Sequence, residues 1–411
     1  MDTKFDDNSL YNIKSSVDGK RYSLFELATW KNGLAFKKIN FSETGVPVIK
    51  IAELNNGIGG TTAYTQQTFS EDVHLCKGDL LFSWSGNPQT SIDVFRFNID
   101  EGWLNQHIFK VTPDEKTVDR DYFYFLMKNL KPHFTQIAIN KQTTGLGHVT
   151  IADIKRMSVV IPSLDVQREI VSYIKPIDDK IELNNEINNN LEQQIEAVLL
   201  SFIENTNSND VKLGDYLYIK GRIGWKGLKK EEYLEHSDYR IINGESLTKA
   251  GIDWSKAGYI SQARYDESPE IMLQSGDILL SKDGTIGKIG YIDSLATPTT
   301  VASGIFVIRN LQPNIISTTF IYYLLKSRLF TTFIAARTEG SVIPHLYQKD
   351  FMQFEFPLPD KEEMANFEEL TAPMFSLIVS NLNENDRLMR IRDSLLPRLM
   401  SGELDVSDID L

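Results

Sequence analysis

The chain has 411 residues, 41% hydrophobic and 24% charged, the composition of a soluble globular protein with core enough for two or three domains. Its net charge of −13 argues, taken whole, against a nucleic-acid partner, and no run of 18 apolar residues marks a membrane span. One cysteine and six histidines without ligand spacing exclude an internal disulfide and predict no metal site.

The start, MDTKFDDNSL, is acidic with no apolar run behind it, so no secretory signal is expected and a cytoplasmic location is. Three stretches then carry the β-branched and aromatic enrichment of strands: VPVIKIAEL (Val46 to Leu54), KGDLLFSWS (Lys77 to Ser85) and HIFKVTP (His107 to Pro113). Cys76, at the edge of the second, is expected to be a buried thiol rather than a nucleophile. DYFYFLMKN, Asp121 to Asn129, reads as the apolar face of a helix, and TTGLGHVTIADIKRMSVVIP closes the half at Pro162.

The same series returns downstream. Gly78, Asp79, Leu81, Ser83 and Gly86 reappear 198 residues later as Gly276, Asp277, Leu279, Ser281 and Gly284. YRIINGESL (Tyr239 to Leu247), GDILLSKDG and GIFVIRN (Gly304 to Asn310) are the strand counterparts, and TFIYYLLKS (Thr319 to Ser327) answers the helix. His148 matches His345 and Asp153 matches Asp350 at offset 197. An offset so constant is the mark of a duplication. Each half is expected to be a mixed α/β domain followed by a helix.

Those helices give the clearest period. Ile170, Ile174, Ile177, Ile181, Asn184, Asn188, Leu191, Ile195, Val198 and Phe202 alternate spacings of four and three, the seam of a coiled coil. Phe367, Thr371, Met374, Ile378, Asn381, Asn385, Leu388, Arg392, Leu395 and Leu399 repeat the frame. Even the polar interruptions coincide, and seam asparagines fix register at a cost in stability. The two helices are therefore expected to pair antiparallel about a pseudo-two-fold axis, the alternative being that each packs on its own domain. Pro176 and Pro373 correspond; Pro176 either bends the helix or sits in its first turn. A length of about 28 to 40 residues corresponds to about 42 to 60 Å. The expected segments are 1–164, 165–207, 208–360 and 361–411.

Charge follows this division. Residues 165–207 hold 3 basic and 9 acidic side chains and residues 361–411 hold 5 and 11, leaving 35 basic against 36 acidic elsewhere. The globular halves are thus neutral, which permits a locally basic groove.

Catalytic constellations are weak. GTIGK, Gly284 to Lys288, lacks the glycine spacing of a phosphate loop and reads as a hairpin turn. Asp114, Asp153 and Lys155 fit a nuclease arrangement poorly, and Met352 replaces Lys155 in the second half. Asn87-Pro88 begins like an amino-methyltransferase motif, yet Gln89 and Thr90 follow in place of a proline and an aromatic. No glycine-rich strand-to-helix turn suits a methyl-donor cofactor, so the chain is not expected to be an enzyme.

The order of variable domain, long helix, variable domain, long helix resembles the specificity (S) subunit of Type I restriction-modification systems. GDLLFSWSG and GDILLSKDG, SVIPHL before the second closing strand, and IPSLDVQREI and PLPDKEEMANF leading into the helices carry the resemblance. WKNGLAFKK (Trp30 to Lys38) and KGRIGWKG (Lys220 to Gly227) look like the openings of that family's target recognition domains. The resemblance implies a host-defence protein with two domains that each read a short half of an asymmetric double-stranded DNA target. The helix pair would set the gap, and half-sites one turn apart, about 34 Å, suit its length. It also implies partners: two modification subunits and two restriction subunits, bringing S-adenosylmethionine, ATP and magnesium, with no cofactor on this chain itself. The acidic helix faces would dock them, the alternative being an ordinary solvated face.

Loops that diverge between the halves are the expected DNA contacts, since Arg, Lys, Asn and Gln read base edges and phosphates. In the first half these are Lys37, Lys38, Trp84, Asn87, Gln89 and Lys141. In the second they are Arg222, Trp225, Lys226, Lys282 and Lys288, with Trp225 read more readily as core than as a base-stacking ring. His148 and His345, shared by both halves, are expected to be scaffold. Two competing readings are a self-sufficient DNA enzyme and a coiled-coil protein-binding adaptor without DNA recognition.

Overall fold

The repeated Gly-Asp pair marks one turn built twice. Gly78 and Gly276 both adopt positive φ, +96° and +88°, a region that glycine enters without a Cβ clash. Asp79 and Asp277 turn their carboxylates back on the chain, accepting from Cys76 N at 2.9 Å and from Gln274 N at 2.8 Å. Each turn launches a strand buried along its whole length, Leu80–Ser83 and Ile278–Ser281.

These features come from a computed structural model that describes residues 7–142, 145–206, 209–222, 227–248, 250–338 and 345–405. The chain forms two compact units: Met1–Lys180 with Met389–Leu411, and Ile181–Leu388.

In the first unit, an antiparallel sheet runs in the order Ala28–Asn32, Ile108–Pro113, Leu80–Ser83, Asp93–Arg96. In the second, the order is Leu217–Gly221, Ile305–Asn310, Ile278–Ser281, Ile289–Tyr291, with the same pairings. A smaller sheet accompanies each. Val46–Ile49 pairs parallel with Glu101–Leu104, as Tyr239–Ile242 does with Thr299–Val301. Each unit is clasped where it meets its helix, by Lys20–Ser23 on Ser158–Ile161 and by Asp210–Lys212 on Glu355–Pro357.

Helices Arg120–Asn129 and Thr318–Lys326 cover the sheets. Ser and Asp cap them: Asp119 Oδ1 accepts from Tyr122 N at 3.1 Å and Ser317 Oγ from Phe320 N at 2.9 Å. In the first unit Phe82, Phe123, Phe125 and Phe134 form the centre, and in the second Phe306, Phe320, Phe330, Phe351 and Phe356 do. Each such ring contributes about 1.5–3 kcal/mol on burial.

Two expectations change. Val46 to Leu54 is not one strand: Val46–Ile49 ends and Ile51–Asn56 is a short helix. Glu53 reaches back to accept from Lys50 N at 3.0 Å, a capping contact that starts a helix. Cys76 is exposed rather than buried. It ends the strand His74–Cys76, where Leu75 takes the inward face and strand alternation turns Cys76 outward.

The long helices are Leu164–Asn205 and Lys361–Ser401, of 42 and 41 residues. Pro176 lies inside the first, so the helix passes through the proline instead of starting at it. Gln167 docks its beginning onto the first domain, accepting from Asp119 N at 2.7 Å and donating to Thr117 O and Pro162 O at 3.1 and 2.9 Å. Asp360 caps the second, accepting from Glu362 N and Glu363 N at 2.8 and 2.9 Å.

Within the second unit the helices pair antiparallel. Phe202 meets Phe367 edge-on at 5.8 Å, Asn188 Oδ1 accepts from Asn381 Nδ2 at 2.8 Å, and Asn184 Nδ2 donates to Asn385 Oδ1 at 2.9 Å. Partner numbers thus fall on one helix as they rise on the other. Within the first unit, Ile170 and Ile174 join Leu396, Leu399 and Met400 in the domain core. The mixed α/β architecture with two repeated domains and two packed long helices is therefore the one expected from the sequence.

Candidate nucleic-acid interface

At the end of the buried strand, each unit holds the next residue in an identical backbone frame. Trp84 N donates to His107 O at 3.2 Å, and Lys282 N to Gly304 O at 2.9 Å. The carbonyls of the same two residues accept from Val149 N and Leu346 N at 2.8 and 2.9 Å. These partners are themselves repeat equivalents, so one scaffold presents an indole in the first unit and an ammonium in the second.

Beneath each lies an equivalent ring. Trp84 stacks on Phe109 at 5.7 Å, and Lys282 Nζ stands 5.2 Å from the centroid of Phe306. The neighbouring strand supplies Asn32 opposite Phe109 and Gly221 opposite Phe306. Asn32 Oδ1 accepts from the Trp84 indole N–H at 3.0 Å. A Cβ on Gly221 would stand 3.2 Å from Ile305 O and from the Phe306 ring and 3.4 Å from Lys282 Cε, already in contact with the stem, so a side chain as long as asparagine would compete with the lysine for that space.

The loops beyond diverge. Gly86 has φ +130°, and a Cβ there would meet Ser91 Cβ at 2.6 Å. Asn87 Oδ1 accepts from Gln89 N at 2.9 Å, closing a tight turn that leaves both side chains exposed. In the second unit Ser281 Oγ accepts from Lys288 N at 2.8 Å and donates to Thr285 O at 2.7 Å. GTIGK is thus the tip of a hairpin, as its spacing predicts. Lys288 Nζ donates to Gly244 O at 3.0 Å. Asp283 pairs with His345, which fastens this tip to the closing segment.

The remaining predicted residues fall elsewhere. Lys37 and Lys38 are exposed on a turn whose Asn40 donates to Gln67 Oε1 at 2.9 Å. Trp225 and Lys226 lie outside the described residues. Arg222 is 2% exposed. Its guanidinium donates to Val301 O at 3.1 Å and faces Ser268 and Thr300, which makes it a strut of the second unit's interior rather than a groove cation.

Lys141 is likewise engaged. Its Nζ donates to both carboxylate oxygens of Asp153 at 2.5 and 2.6 Å, and Asp153 is 2% exposed. Burial by itself would push this carboxyl up, but bonds from Lys141, Thr150 and Tyr11 hold it below the usual carboxylate range. A lowered folded value means that its stabilisation is present above the unfolded value, about 3.9, and lost as pH falls through the folded one. Asp153→Asn is therefore expected to flatten the loss of first-unit stability below about pH 4, read as denaturation midpoints across the acid range.

A family model described as the Type I restriction modification DNA specificity domain matches residues 17–193 and again 205–372. The chain belongs to the Type I restriction-modification DNA specificity family. It is 21% identical over 379 residues to the Type I restriction enzyme MjaVIII specificity subunit of Methanocaldococcus jannaschii, spanning 83% of this chain and 82% of that protein. To the HindI specificity subunit of Haemophilus influenzae it is 22% identical over 404 residues, spanning 80% and 87%. The crystal structure of a Type I restriction-modification S subunit from M. genitalium shares the fold, with a TM-score of 0.53 at 17% identity over 94% of this chain and 97% of that one.

Membership of the specificity family assigns the chain to DNA sequence specificity. Among the described residues no helix is long and apolar enough to cross a membrane, and no cluster of His, Cys, Asp and Glu could hold a metal ion. Two residues of the strand-end frame escape sequence reading: Asn32 and Gly221. They are equivalent through sheet register, 189 positions apart, while the rest of the repeat runs at 197 to 198. Nine additional residues between the opening strand and the core of the second domain hide the correspondence.

Proposed function

We propose that the chain is the non-catalytic, cytoplasmic DNA-reading subunit of a Type I restriction-modification complex. Each unit reads one half of a bipartite, asymmetric duplex target, and the helical pair sets the gap between the halves. Facing asparagines, Asn184 with Asn385 and Asn188 with Asn381, hold the helices in register. Two modification subunits and two restriction subunits dock on the chain, and S-adenosylmethionine, ATP and magnesium reside on them. The acidic helix faces, net −6 over each of residues 165–207 and 361–411, are the docking surfaces and stay off the phosphates.

One observation carries this reading. A single fold occurs twice, with its backbone frame preserved and its strand-end side chain changed from Trp84 to Lys282. A duplicated enzyme would keep its chemistry in both copies; a two-headed reader keeps the scaffold and varies the contacts. The test is to co-express the chain with a modification subunit from its own operon and map modified adenines across the host genome. A split asymmetric motif with a fixed gap is expected, and replacing residues 208–360 by those of another family member changes one half only. A soluble complex that leaves no motif sinks the proposal and favours a protein-binding adaptor.

A further inference from the structure

The two strand-end sites differ in two residues at once. Where Asn32 is present, its carboxamide occupies the space beside the Phe109 ring and takes the indole N–H of Trp84 at 3.0 Å. Where Gly221 is present, that space passes to the stem of Lys282, with Cε 3.4 Å from where a Cβ would stand. Asn32 with Lys282, or Gly221 with Trp84, would leave either a crowded stem or an indole without its acceptor.

The chemistry presented is opposite. With its one donor taken by Asn32, Trp84 offers only apolar ring surface, suited to a thymine methyl or a sugar. Lys282 meets no carboxylate among the described residues, so its ammonium remains available over the Phe306 ring. An ammonium at the end of a rigid strand donates to acceptors such as guanine O6 and N7, or to a phosphate.

We propose that residues 32 with 84, and 221 with 282, form one coupled specificity position in each unit, apolar in the first and cationic in the second. This inference rests on the DNA-reading function proposed above. Trp84 and Lys282 touch the base pair; Asn32 and Gly221 are positioning residues that decide which side chain the frame can hold.

The full chain with its modification subunit tests this, as Lys282→Ala, Trp84→Ala, Asn32→Ala, Asn32→Gln and the double change Asn32→Gly with Trp84→Lys. Lys282→Ala is expected to relax one base pair in the second unit's half of the motif, with roughly tenfold lost discrimination there. Trp84→Ala and Asn32→Ala relax one and the same position in the other half, while Asn32→Gln, which keeps an acceptor for the indole, retains discrimination. The double change shifts preference at that position towards guanine. Thermal unfolding identifies any variant that fails to fold, and the paired half-site then serves as the internal reference.

A wild-type motif that no variant alters overturns the coupled position while the DNA-reading function stands. Uniform weakening on every sequence, with the salt slope reduced by about one, shows a phosphate contact and equally overturns base reading at this site. A wild-type chain that yields no motif defeats the underlying function itself.

Discussion

Asp277→Ala is expected to lower the stability of the second unit by about 3–5 kcal/mol, the range for removing one partner of a buried ion pair. Asp277 is 0% exposed. Arg309 grips it with two parallel bonds, Nε to Oδ1 at 2.6 Å and Nη2 to Oδ2 at 2.7 Å. The same carboxylate closes the turn at Gln274 N, next to the positive φ of Gly276. Alanine thus opens three bonds and leaves a guanidinium whose remaining partners among the described residues are Met272 O and the Tyr218 ring. The equivalent Asp79 pairs with a single ammonium, Lys110 at 2.8 Å, and its side chain is 19% exposed. Asp79→Ala should accordingly cost less, about 1–3 kcal/mol. Amide exchange, which resolves the two units separately, distinguishes them, and equal losses would refute the bidentate argument.

This contrast also shows what sequence could and could not reveal. Gly78-Asp79 and Gly276-Asp277 stand out because a positive-φ turn with a back-bonding carboxylate tolerates few other residues, so both copies keep it. The helical seams stand out for the same reason: period is a local property, and Asn184, Asn188, Asn381 and Asn385 interrupt it at matching places. The partners of Asp277 and Trp84 are another matter. Arg309 and Asn32 arrive from other strands of the sheet, and strand register is set by tertiary packing that no local pattern encodes. Composition misled where it treated every cation alike. Lys141 and Arg222 look like groove cations by type, yet both are engaged with buried acceptors. Cys76 was misplaced because two-residue alternation in a three-residue strand turns on a single position.

Asp178→Ala is expected to destabilise the first unit by about 1–3 kcal/mol, since Arg96 keeps Asp121 and Arg392 keeps Asp393. Asp178 lies between two guanidiniums, Arg392 Nη1 at 2.8 Å and Arg96 Nη1 at 3.5 Å, and its side chain is 15% exposed. Arg96 continues the chain to Asp121 at 2.8 Å and lies 4.0 Å over the Tyr124 ring. Removing the central carboxylate leaves two like charges facing each other out of full solvent contact. The second unit has no charge at the three equivalent positions, although Lys326 and Glu192 pair nearby at 2.6 Å. Phe375 stands where Asp178 does, Ile195 where Arg392 does, and Tyr291 where Arg96 does, Tyr291 packing against Phe375 at 4.9 Å. A buried ion triad exchanged as a set for well-packed apolar residues is typically neutral or stabilising by about 1–4 kcal/mol. The triple change Arg96→Tyr, Asp178→Phe, Arg392→Ile should therefore recover what Asp178→Ala loses, though each single change within it destabilises. Urea midpoints of the first unit measure this. A triple variant as unstable as the worst single one would mean that the triad is held by its surroundings rather than by its own charge balance.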